Sequence, residues 1–303
     1  MDFKVFILGS GAAIPTLRRG TTAHLVSCFQ RNILIDCGEG TQVQFRRFRL
    51  KFQKIDIICI SHLHGDHVFG LAGLLSSMQL MGRTNALKII GPKGLKKLIK
   101  AQLDLVGHGD FFPLDFHIIS EDFTGTVYED KCIKIAAFPL NHRITTFGYR
   151  ILEKPNKRRL DKEAFDATGV SVSYIGKLIQ GEDIIDNEGR VVRSSEVTIP
   201  GKPAKSYAFC SDTAFTTSIL PHIQDVDLLY HEATFTSEFA DRALQTGHST
   251  AAQAATIALK ANAKRLILGH FSARYDDETQ HLLEAKEIFE ATFAAQDGAV
   301  FNL

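Results

Sequence analysis

The sequence has little of what marks several common protein classes. Its 303 residues include no tryptophan and only five cysteines, none of them in a C-x-x-C pair. Scattered cysteines in odd number argue against a disulfide framework or a thiolate zinc site, and they fit a reducing cytoplasm. No apolar run approaches the roughly 18 residues that a membrane span needs. The opening segment MDFKVFILGSG reaches a turn too early for a signal peptide, so we expect a cytoplasmic protein with no membrane partner.

An excess of charge of one sign is also missing. The chain has 35 Lys and Arg against 34 Asp and Glu, which gives a formal net charge of +1. No global basic field therefore indicates a nucleic-acid partner, and only local basic patches could bind one. The hydrophobic fraction of 45 % is ordinary for a globular chain long enough to bury a large core.

Segments typical of strands come in two runs. In the first run, KVFILG and IDIICIS read as buried strands, and TTAHLVSCFQRNILIDCGEG reads as a hairpin that turns near residues 30–32. VFGLAGLLSSMQLMG has the length and apolar spacing of a helix facing the core. LKIIGPKGLKKLIKAQLDLVG predicts strand, turn and helix, with Pro92 near the helix start. CIKIAAFPLNH predicts a strand that ends on His142.

The second run begins after a polar stretch. Residues 153–205 are polar and mixed in charge, with prolines at Pro155 and Pro203, which predicts an inserted arm rather than part of the core. SYAFCSD, DLLYHEATF and RLILGH then predict strands, STAAQAATIALKAN predicts a helix, and a last helix is expected at about 276–293. Two runs of strands mixed with helices predict an α/β fold in which two sheets pack together with helices outside.

The densest group of polar residues is SHLHGDH, which places His62, His64, Asp66 and His67 within six positions. Imidazole nitrogens and carboxylate oxygens are ligands of zinc and similar divalent ions. Further candidates stand just beyond predicted strands: His142, Asp212 and His270. A single histidine at a strand end is more often hydrogen-bonded or exposed to solvent, and that structural interpretation stays open for these three. The cluster itself predicts a metal centre.

These motifs resemble a known family. SHLHGDH is similar to the signature of the metallo-β-lactamase superfamily, and the chain as a whole resembles ribonuclease Z. The resemblance rests on the following segments: FILGSGAAIPTLRRGTTAHLV, LIDCGEGTQVQFRR, HLHGDHVFGLAGLL, NHRITTFGYRI, CSDT, HEATF, GHSTAAQAA and LILGHFSARY. It implies one four-layer αββα metallo-β-lactamase sandwich over residues 1–303, with the arm at 153–205 inserted in it. The implied activity is endonucleolytic removal of the 3′ trailer from precursor tRNA, which leaves a 3′-hydroxyl on the tRNA.

The resemblance also implies a ligand set for two zinc ions. One ion would be held by His62, His64, His142 and Asp212. The other would be held by Asp66, His67, Asp212 and His270, so that Asp212 bridges the two. Asp66 would in addition orient the nucleophile or accept its proton.

Two further residues are candidates for acid–base chemistry. His248 in GHST could protonate the leaving 3′-oxygen, because imidazole as a side chain titrates near working pH. Glu232 in HEATF could fix the tautomer of His248. Both have structural alternatives, because His248 could cap a helix that begins near Ser249 and Glu232 could belong to an ion pair. His231 is expected to have a supporting, structural role.

A tRNA substrate would need basic residues away from the metals. The predicted contacts are Arg18 and Arg19 in TLRRG and, in the arm, Lys154, Lys157, Arg158 and Arg159. Weaker candidates are Arg46, Arg47, Arg49, Lys93, Lys96, Lys97 and Lys100. Any of these runs could also be an ordinary solvated face. The resemblance implies that the arm grips the tRNA elbow and that the protein is a homodimer. The chain departs from the family in lacking a Gly-Pro-rich stretch in the arm and in having Leu17 and Gly20 within PTLRRG.

Three hypotheses for function remain. The leading one is a zinc-dependent endoribonuclease acting on precursor tRNA. The second is a broader metal-dependent phosphodiesterase of the same fold, which would have no need of HEATF, GHST and the arm. The third is a non-catalytic RNA-binding or scaffold protein, which would have no need of a complete ligand set.

Overall fold

The computed structural model describes residues 3–105, 111–154 and 157–303, so Pro155 lies outside the described residues. The chain divides into two compact units. One is formed by Met1–Leu152 and Lys205–Leu303, and the other by Glu153–Ala204. Within the described residues, no helix is long and apolar enough to cross a membrane.

The strands and helices of the larger unit alternate along the chain. Up to the arm they are β1 (Lys4–Gly9), β2 (Ala23–Cys28), β3 (Arg31–Ile35), α1 (Thr41–Arg47), β4 (Ile57–Cys59), α2 (Gly65–Val68), α3 (Gly70–Leu80), β5 (Leu87–Pro92), α4 (Leu95–Leu105), β6 (Leu114–Ile119), β7 (Gly125–Glu129), β8 (Ile133–Pro139) and β9 (Phe147–Glu153).

The smaller unit contains short elements. They are β10 (Arg159–Leu160), α5 (Lys162–Thr168), α6 (Ile175–Leu178), β11 (Ile184–Ile185), β12 (Val191–Val192), α7 (Ser194–Val197) and β13 (Thr198–Ile199). β10 pairs with β13 and β11 pairs with β12, both antiparallel. The stretch is polar, yet it builds a small core of its own from Phe165, Val170, Leu178, Ile184, Val192 and Val197.

The larger unit then resumes. Its remaining elements are β14 (Ser206–Cys210), α8 (Leu220–Ile223), β15 (Leu228–Glu232), α9 (Ala240–Thr246), α10 (Ala251–Lys260), β16 (Leu266–Gly269), α11 (Thr279–Lys286), β17 (Thr292–Ala294) and β18 (Val300–Asn302). The strands form two seven-stranded sheets, in the order β18-β1-β2-β3-β4-β5-β6 and β17-β16-β15-β14-β9-β8-β7.

Side-chain alternation explains why the strand sequences are apolar throughout. In β3, Ile33 and Ile35 enter the main core together with residues of the second sheet, whereas Leu34 packs under the first-sheet helices. In β4, Ile57 and Cys59 face inward and Ile58 faces outward in the same way. Both faces of such a strand are buried, so neither set of alternating side chains meets solvent. Its sequence is therefore apolar at successive positions.

The outer layers come from amphipathic helices. Leu71, Leu74 and Leu75 of α3 cover the outer face of the first sheet. On the other side, the buried alanines of α10 belong to the same core as the second sheet. These helices complete a helix–sheet–sheet–helix arrangement, as the two runs of strands predicted.

Three sequence predictions need correction at element boundaries. Pro92 is the last residue of β5 and does not start α4, which begins at Leu95. The C-terminal helix ends at Lys286, and Thr292–Ala294 is a strand. β8 ends at Pro139, so His142 stands three residues past the strand in a loop. At Pro92 and at Thr292–Ala294, pairing with a neighbouring strand overrode the local preference for helix.

The fold gathers strand ends at one edge. β14, β15 and β16 run parallel, as do β3, β4 and β5. Asp36 directly follows β3, His62 follows shortly after β4, Asp212 follows β14 and His270 follows β16. The carboxyl ends of parallel strands meet at the same edge, and this brings residues more than 200 positions apart into one site.

Candidate active site

The first group of possible ligands comprises His62, His64, His142 and Asp212. One nitrogen or oxygen atom from each lies within 4.8 Å of the others. His62 Nε2 is 3.0 Å from His64 Nδ1 and 3.5 Å from Asp212 Oδ2, and His142 Nε2 is 3.7 Å from the same oxygen. Four groups of this kind meeting at one point form a donor set that suits a divalent cation.

The second group comprises Asp66, His67 and His270. Their facing atoms are closely spaced: Nε2 of His67 and Nε2 of His270 are 3.3 Å apart, and each is 3.4 Å from Asp66 Oδ2. α2 begins at Gly65 and holds Asp66 and His67, so its first turn places both side chains.

Asp212 faces both groups with different oxygens. Oδ2 lies toward His62 and His142, whereas Oδ1 lies 3.1 Å from Nε2 of His67 and 3.1 Å from Nε2 of His270. The side chain is almost completely buried. A single carboxylate therefore faces both groups of possible ligands.

Hydrogen bonds indicate which ring nitrogen of His62, His67, His142 and His270 faces the centre as a possible ligand. His67 Nδ1 donates to Asp36 Oδ2 at 2.7 Å, and His142 Nδ1 donates to the Gly247 carbonyl at 2.8 Å. Ser61 Oγ donates to Asp36, so its lone pair accepts from His62 Nδ1 at 2.9 Å.

His270 follows the same rule. Thr234 Oγ1 donates to Glu232 Oε2, so it accepts from His270 Nδ1 at 2.9 Å. With the Nδ1 proton committed in all four cases, Nε2 of His62, His67, His142 and His270 presents a lone pair to the centre.

A further observation supports metal binding by these residues. Nε2 of His142 is buried, and no described residue hydrogen-bonds it. An orphaned acceptor of this kind costs free energy unless a partner occupies the space in front of it. The surrounding nitrogen and oxygen donors make a divalent cation the partner that the chemistry favours.

Electrostatics point the same way. Burial lowers the pKa of His62 to about 4, and burial also lowers the pKa values of His64 and His142, so these imidazoles stay neutral. Burial opposes protonation of His67 too, but the carboxylates of Asp212, Asp66 and Asp36 raise its pKa well above the ordinary value. Carboxylates that stabilise a positively charged histidine also stabilise a metal cation bound in the same place.

Asp66 is held from outside the second group as well. The backbone N–H of Ala13 donates to Asp66 Oδ2 at 2.7 Å. Gly38 lies against it, and a Cβ there would come within 2.2 Å of the Asp66 carbonyl oxygen. Ala13, Asp36 and His270 all adopt positive φ angles of 58–63°. Strained backbone at three residues around one centre is typical of a functional site.

His248 and Glu232 form a pair beside the two groups. His248 Nδ1 lies 2.8 Å from Glu232 Oε1, and Glu232 is fully buried. Burial disfavours the charged imidazole, but the Glu232 carboxylate outweighs it, and the pKa of His248 is raised to about 9. His248 can therefore carry a proton at neutral pH and present it through Nε2.

The structural alternatives for this pair do not match the geometry. α10 is capped by Thr250, whose side chain accepts from Gln253 N while Gln253 reciprocates, so His248 is not the cap. Glu232 does pair with a charged partner, but that partner is His248 itself. His248 also appears with Asp212 and His270 in a third set of close donors, which makes it an alternative ligand. His231 is buried and bonded to the Glu232 carbonyl, consistent with a structural role.

A cavity of about 340 Å³ opens over the centre. Its lining includes His64, Asp66, Asp212, His248 and His270. Arg242 and Arg274 also line it, and both are exposed. The Arg274 guanidinium lies 4.5 Å from the ring centroid of Phe239 and 5.1 Å from that of Phe235. Cations beside a polar centre suit an anionic substrate.

The predicted RNA contacts differ in availability. Lys157 and Arg159 are exposed and Lys154 is half-buried, whereas Arg158 donates to Thr198 Oγ1 at 2.5 Å. Arg18 is largely exposed and donates to the Asp276 carbonyl. The remaining candidates, Arg46, Arg47, Arg49, Lys93, Lys96, Lys97 and Lys100, lie on the surface or at its margin.

Arg19 needs a correction. Its side chain is only 8 % exposed, and it forms an ion pair with Glu278 and donates to the Tyr275 carbonyl. The prediction that Arg19 contacts RNA is therefore wrong on this geometry, because its donors are committed inside the protein. Its side chain links the loop that contains Ala13 to Tyr275 and Glu278.

Most of the site residues that the sequence analysis missed form hydrogen bonds to the possible ligands or to Glu232. Asp36 accepts from Ser61 and His67, and Thr234 links Glu232 to His270. Both stand in segments that drew attention, LIDCGEG and HEATF, and both follow strands, so position after a strand was the available signal. Arg242 carries no motif, whereas Arg274 belongs to HFSARY.

Comparison with curated proteins decides the family. A "Ribonuclease Z" from Parabacteroides distasonis is 44 % identical over 297 residues, which cover 98 % of this chain and 98 % of the relative. The chain belongs to the ribonuclease Z family. The human tRNase Z short form, a solved structure, is 28 % identical with a TM-score of 0.71 and 98 % coverage of both chains.

Two other matches are less specific for function. YhfI from Bacillus subtilis, a metallo-β-lactamase fold protein, covers 100 % of both chains with a TM-score of 0.70 and 19 % identity, so it shows the fold alone. A family model described as anti-Pycsar protein Apyc1 matches residues 3–106. The predicted metallo-β-lactamase fold and the resemblance to ribonuclease Z are thus confirmed.

Proposed function

We propose that this ribonuclease Z family member is a two-metal endoribonuclease that removes the 3′ trailer from precursor tRNA and leaves a 3′-hydroxyl. The observation that carries the proposal is the convergence of four Nε2 lone pairs, His64 Nδ1 and two carboxylates on one centre, with Asp212 facing both halves. Curated relatives named ribonuclease Z support the substrate class. We also propose zinc as the metal, two ions per subunit, because nitrogen-rich donor sets suit it.

The residues have distinct roles. His62, His64 and His142 would hold one cation, Asp66, His67 and His270 the other, and Asp212 both. Bound divalent cations supply an activated water and neutralise charge that develops on the phosphate. Asp66 is positioned by Ala13 N–H to orient the attacking water and accept its proton.

His248 acts on the leaving group. The ribose 3′-oxygen of the tRNA leaves with a negative charge unless a proton reaches it. His248 can supply that proton from Nε2, because Glu232 holds Nδ1 and keeps the imidazole protonated. Thr234 bonds to Glu232 and fixes the carboxylate in turn.

RNA would bind over a wider surface. Arg242 and Arg274 border the cavity and suit the phosphates on either side of the cut. The unit Glu153–Ala204 exposes Lys157 and Arg159, and we propose that it is the arm that holds the tRNA body. A homodimer in the cytoplasm, as expected for this family, is part of the same proposal, and light scattering of the purified protein tests its oligomeric state.

The competing function is a general phosphodiesterase of the same fold. The cavity is open enough for a small diester, and the cation groups alone could hydrolyse one. What favours RNA is the exposed arginine pair at the cavity and the basic residues of the smaller unit, because a small diester needs neither.

The deciding experiment compares two substrates. Precursor tRNA labelled at its 5′ end and bis(p-nitrophenyl) phosphate are each incubated with protein dialysed against chelator, with and without added zinc. We expect one zinc-dependent cut at the 3′ side of the acceptor stem. Asp66→Ala should abolish it, whereas Asp104→Ala, which removes an exposed carboxylate of α4, should not.

Other outcomes would overturn the proposal in different ways. Fast hydrolysis of the small diester without cleavage of the precursor would indicate a general phosphodiesterase. Absence of hydrolysis with both substrates, in protein shown by elemental analysis to hold two zinc ions, would indicate a scaffold.

A further inference from the structure

A second cavity lies apart from the metal-ligand groups. Its volume is about 290 Å³, and β7, β8, β9 and α8 contribute its walls. Three basic side chains line it, Lys134, Arg150 and His222, and none of the described residues that line it is acidic. Apart from Thr124 the rest of the wall is apolar. The ring of Phe138 stacks on that of His222 with centroids 5.1 Å apart.

The guanidinium of Arg150 has few hydrogen-bond acceptors among the described residues around this cavity. It projects from β9 and is half-buried. Its Nη1 donates to the His222 carbonyl at 3.3 Å, whereas its Nε is buried and no described residue accepts from it. Burial lowers the pKa of Arg150. A buried donor on a charged group without a partner is costly, and such groups in native proteins are normally paired.

The nearest carboxylates are committed elsewhere. Asp227 accepts from Lys264, Lys205 and the backbone N–H of Ser206. Asp225 accepts from the side-chain amide of Asn262 at 2.7 Å. Both carboxylates act on the Arg150 charge from outside the cavity, and among the described residues no carboxylate faces the guanidinium from the cavity wall.

We propose that this cavity is a binding site for a phosphate monoester, with Arg150 as its principal contact. A small rotation of the guanidinium would let Nε and Nη2 donate together to two phosphate oxygens, the geometry in which arginine binds phosphate best. Lys134 supplies a second positive charge. The volume exceeds that of a bare phosphate, and the apolar wall suits an attached organic group. Free phosphate and a nucleoside monophosphate share this chemistry.

The test measures stabilisation by ligand. Thermal unfolding of the zinc-loaded protein is followed against inorganic phosphate, AMP and adenosine at constant ionic strength. A ligand that binds only the native state raises the melting temperature by an amount that grows with the logarithm of its concentration above Kd. Phosphate can also bind at the metal centre, so the comparison is between variants. Arg150→Gln removes the proposed contact, and Arg265→Gln is the matched control, because Arg265 donates to the Asn302 carbonyl outside the cavity.

We expect the wild type and Arg265→Gln to respond alike to phosphate and AMP. Arg150→Gln should raise the apparent Kd about tenfold or more, since it removes a charge-assisted pair of hydrogen bonds. Without phosphate, Arg150→Gln should unfold no earlier than the wild type, because it removes an unpaired half-buried charge. If Arg150→Gln does not fold, Lys134→Gln provides the same comparison with a smaller loss.

Two results would overturn the proposal. One is an unchanged phosphate response in both Arg150→Gln and Lys134→Gln. The other is stabilisation by adenosine equal to that by AMP, which would show an apolar pocket indifferent to phosphate. A stronger response to AMP than to phosphate supports the proposal and identifies an organic phosphate as the ligand.

Discussion

The metal-ligand groups and the basic surface residues of this protein are built in opposite ways. At the centre, His62, His67 and His270 are buried, and each has its Nδ1 fixed by a neighbour. On α4, Lys96, Lys97 and Lys100 are exposed, and they point away from the buried side of the helix. Chemistry at a bond needs positions fixed to fractions of an ångström, whereas attraction of a polyanion needs only charge.

This contrast separates two kinds of effect. Changes at the centre should affect every substrate, including a small diester. Changes on the surface should affect only long RNA, and less so at high salt.

The largest effect is expected at Asp212. Asp212→Ala removes the carboxylate that faces both groups, so both cations should be lost and cleavage should fall by about 10³-fold or more with both substrates. Zinc content by elemental analysis and turnover of both substrates measure this. Asp104→Ala is the matched control. Retention of two zinc ions in Asp212→Ala would contradict the bridging role.

His248→Ala should distinguish the substrates by leaving group. Ribose 3′-oxygen leaves poorly without a proton, so kcat for precursor tRNA should fall about 10²- to 10⁴-fold. Nitrophenolate leaves without help, so bis(p-nitrophenyl) phosphate should be hydrolysed nearly as before. An equal loss with both substrates would instead indicate that His248 acts as a ligand, the alternative that its distance to Asp212 and His270 allows.

Asp36→Asn should weaken metal binding, although Asp36 is not itself one of the possible ligands. Asp36 accepts from His67 Nδ1, and loss of such a carboxylate typically lowers metal affinity about 10- to 100-fold. Ser61→Ala removes a neutral hydroxyl behind His62 and should have a smaller effect. Competition with a zinc chelator measures both. Equal losses would show that charge behind the imidazole is irrelevant here.

The smallest effect is expected on the surface. Lys93 lies just before α4, and Lys96, Lys97 and Lys100 lie on its exposed side. A Cβ at Gly94 would come within 3.0 Å of Leu63, which stands between His62 and His64. Changing all four to alanine should lower kcat/KM for precursor tRNA about tenfold at low salt and flatten its salt dependence. Hydrolysis of the small diester should not change.

The control for that variant removes four exposed lysines from elsewhere in the larger unit, Lys51, Lys131, Lys260 and Lys286. If it loses as much tRNA activity as the α4 variant, general charge and not the α4 face is responsible.

The sequence predicted the two-sheet fold, and the structure brings the predicted ligand residues together, because each of them stands in a dense motif or shortly after an apolar strand. Asp36 and Thr234 escaped notice, since their importance lies in what they touch across the fold. Arg19 was misjudged for the same reason. Its sequence context is a basic surface turn, and only the position of Glu278, 259 residues later, makes it an internal residue.

The pairing of β1 with β18 ties the first residues of the chain to the last. His270, which completes the second ligand group, also lies near the end of the sequence. During translation, therefore, a nascent chain can carry His62, His64, Asp66 and His67 long before it can assemble a working centre. We therefore expect a chain truncated before His270 to lack the second group of possible ligands.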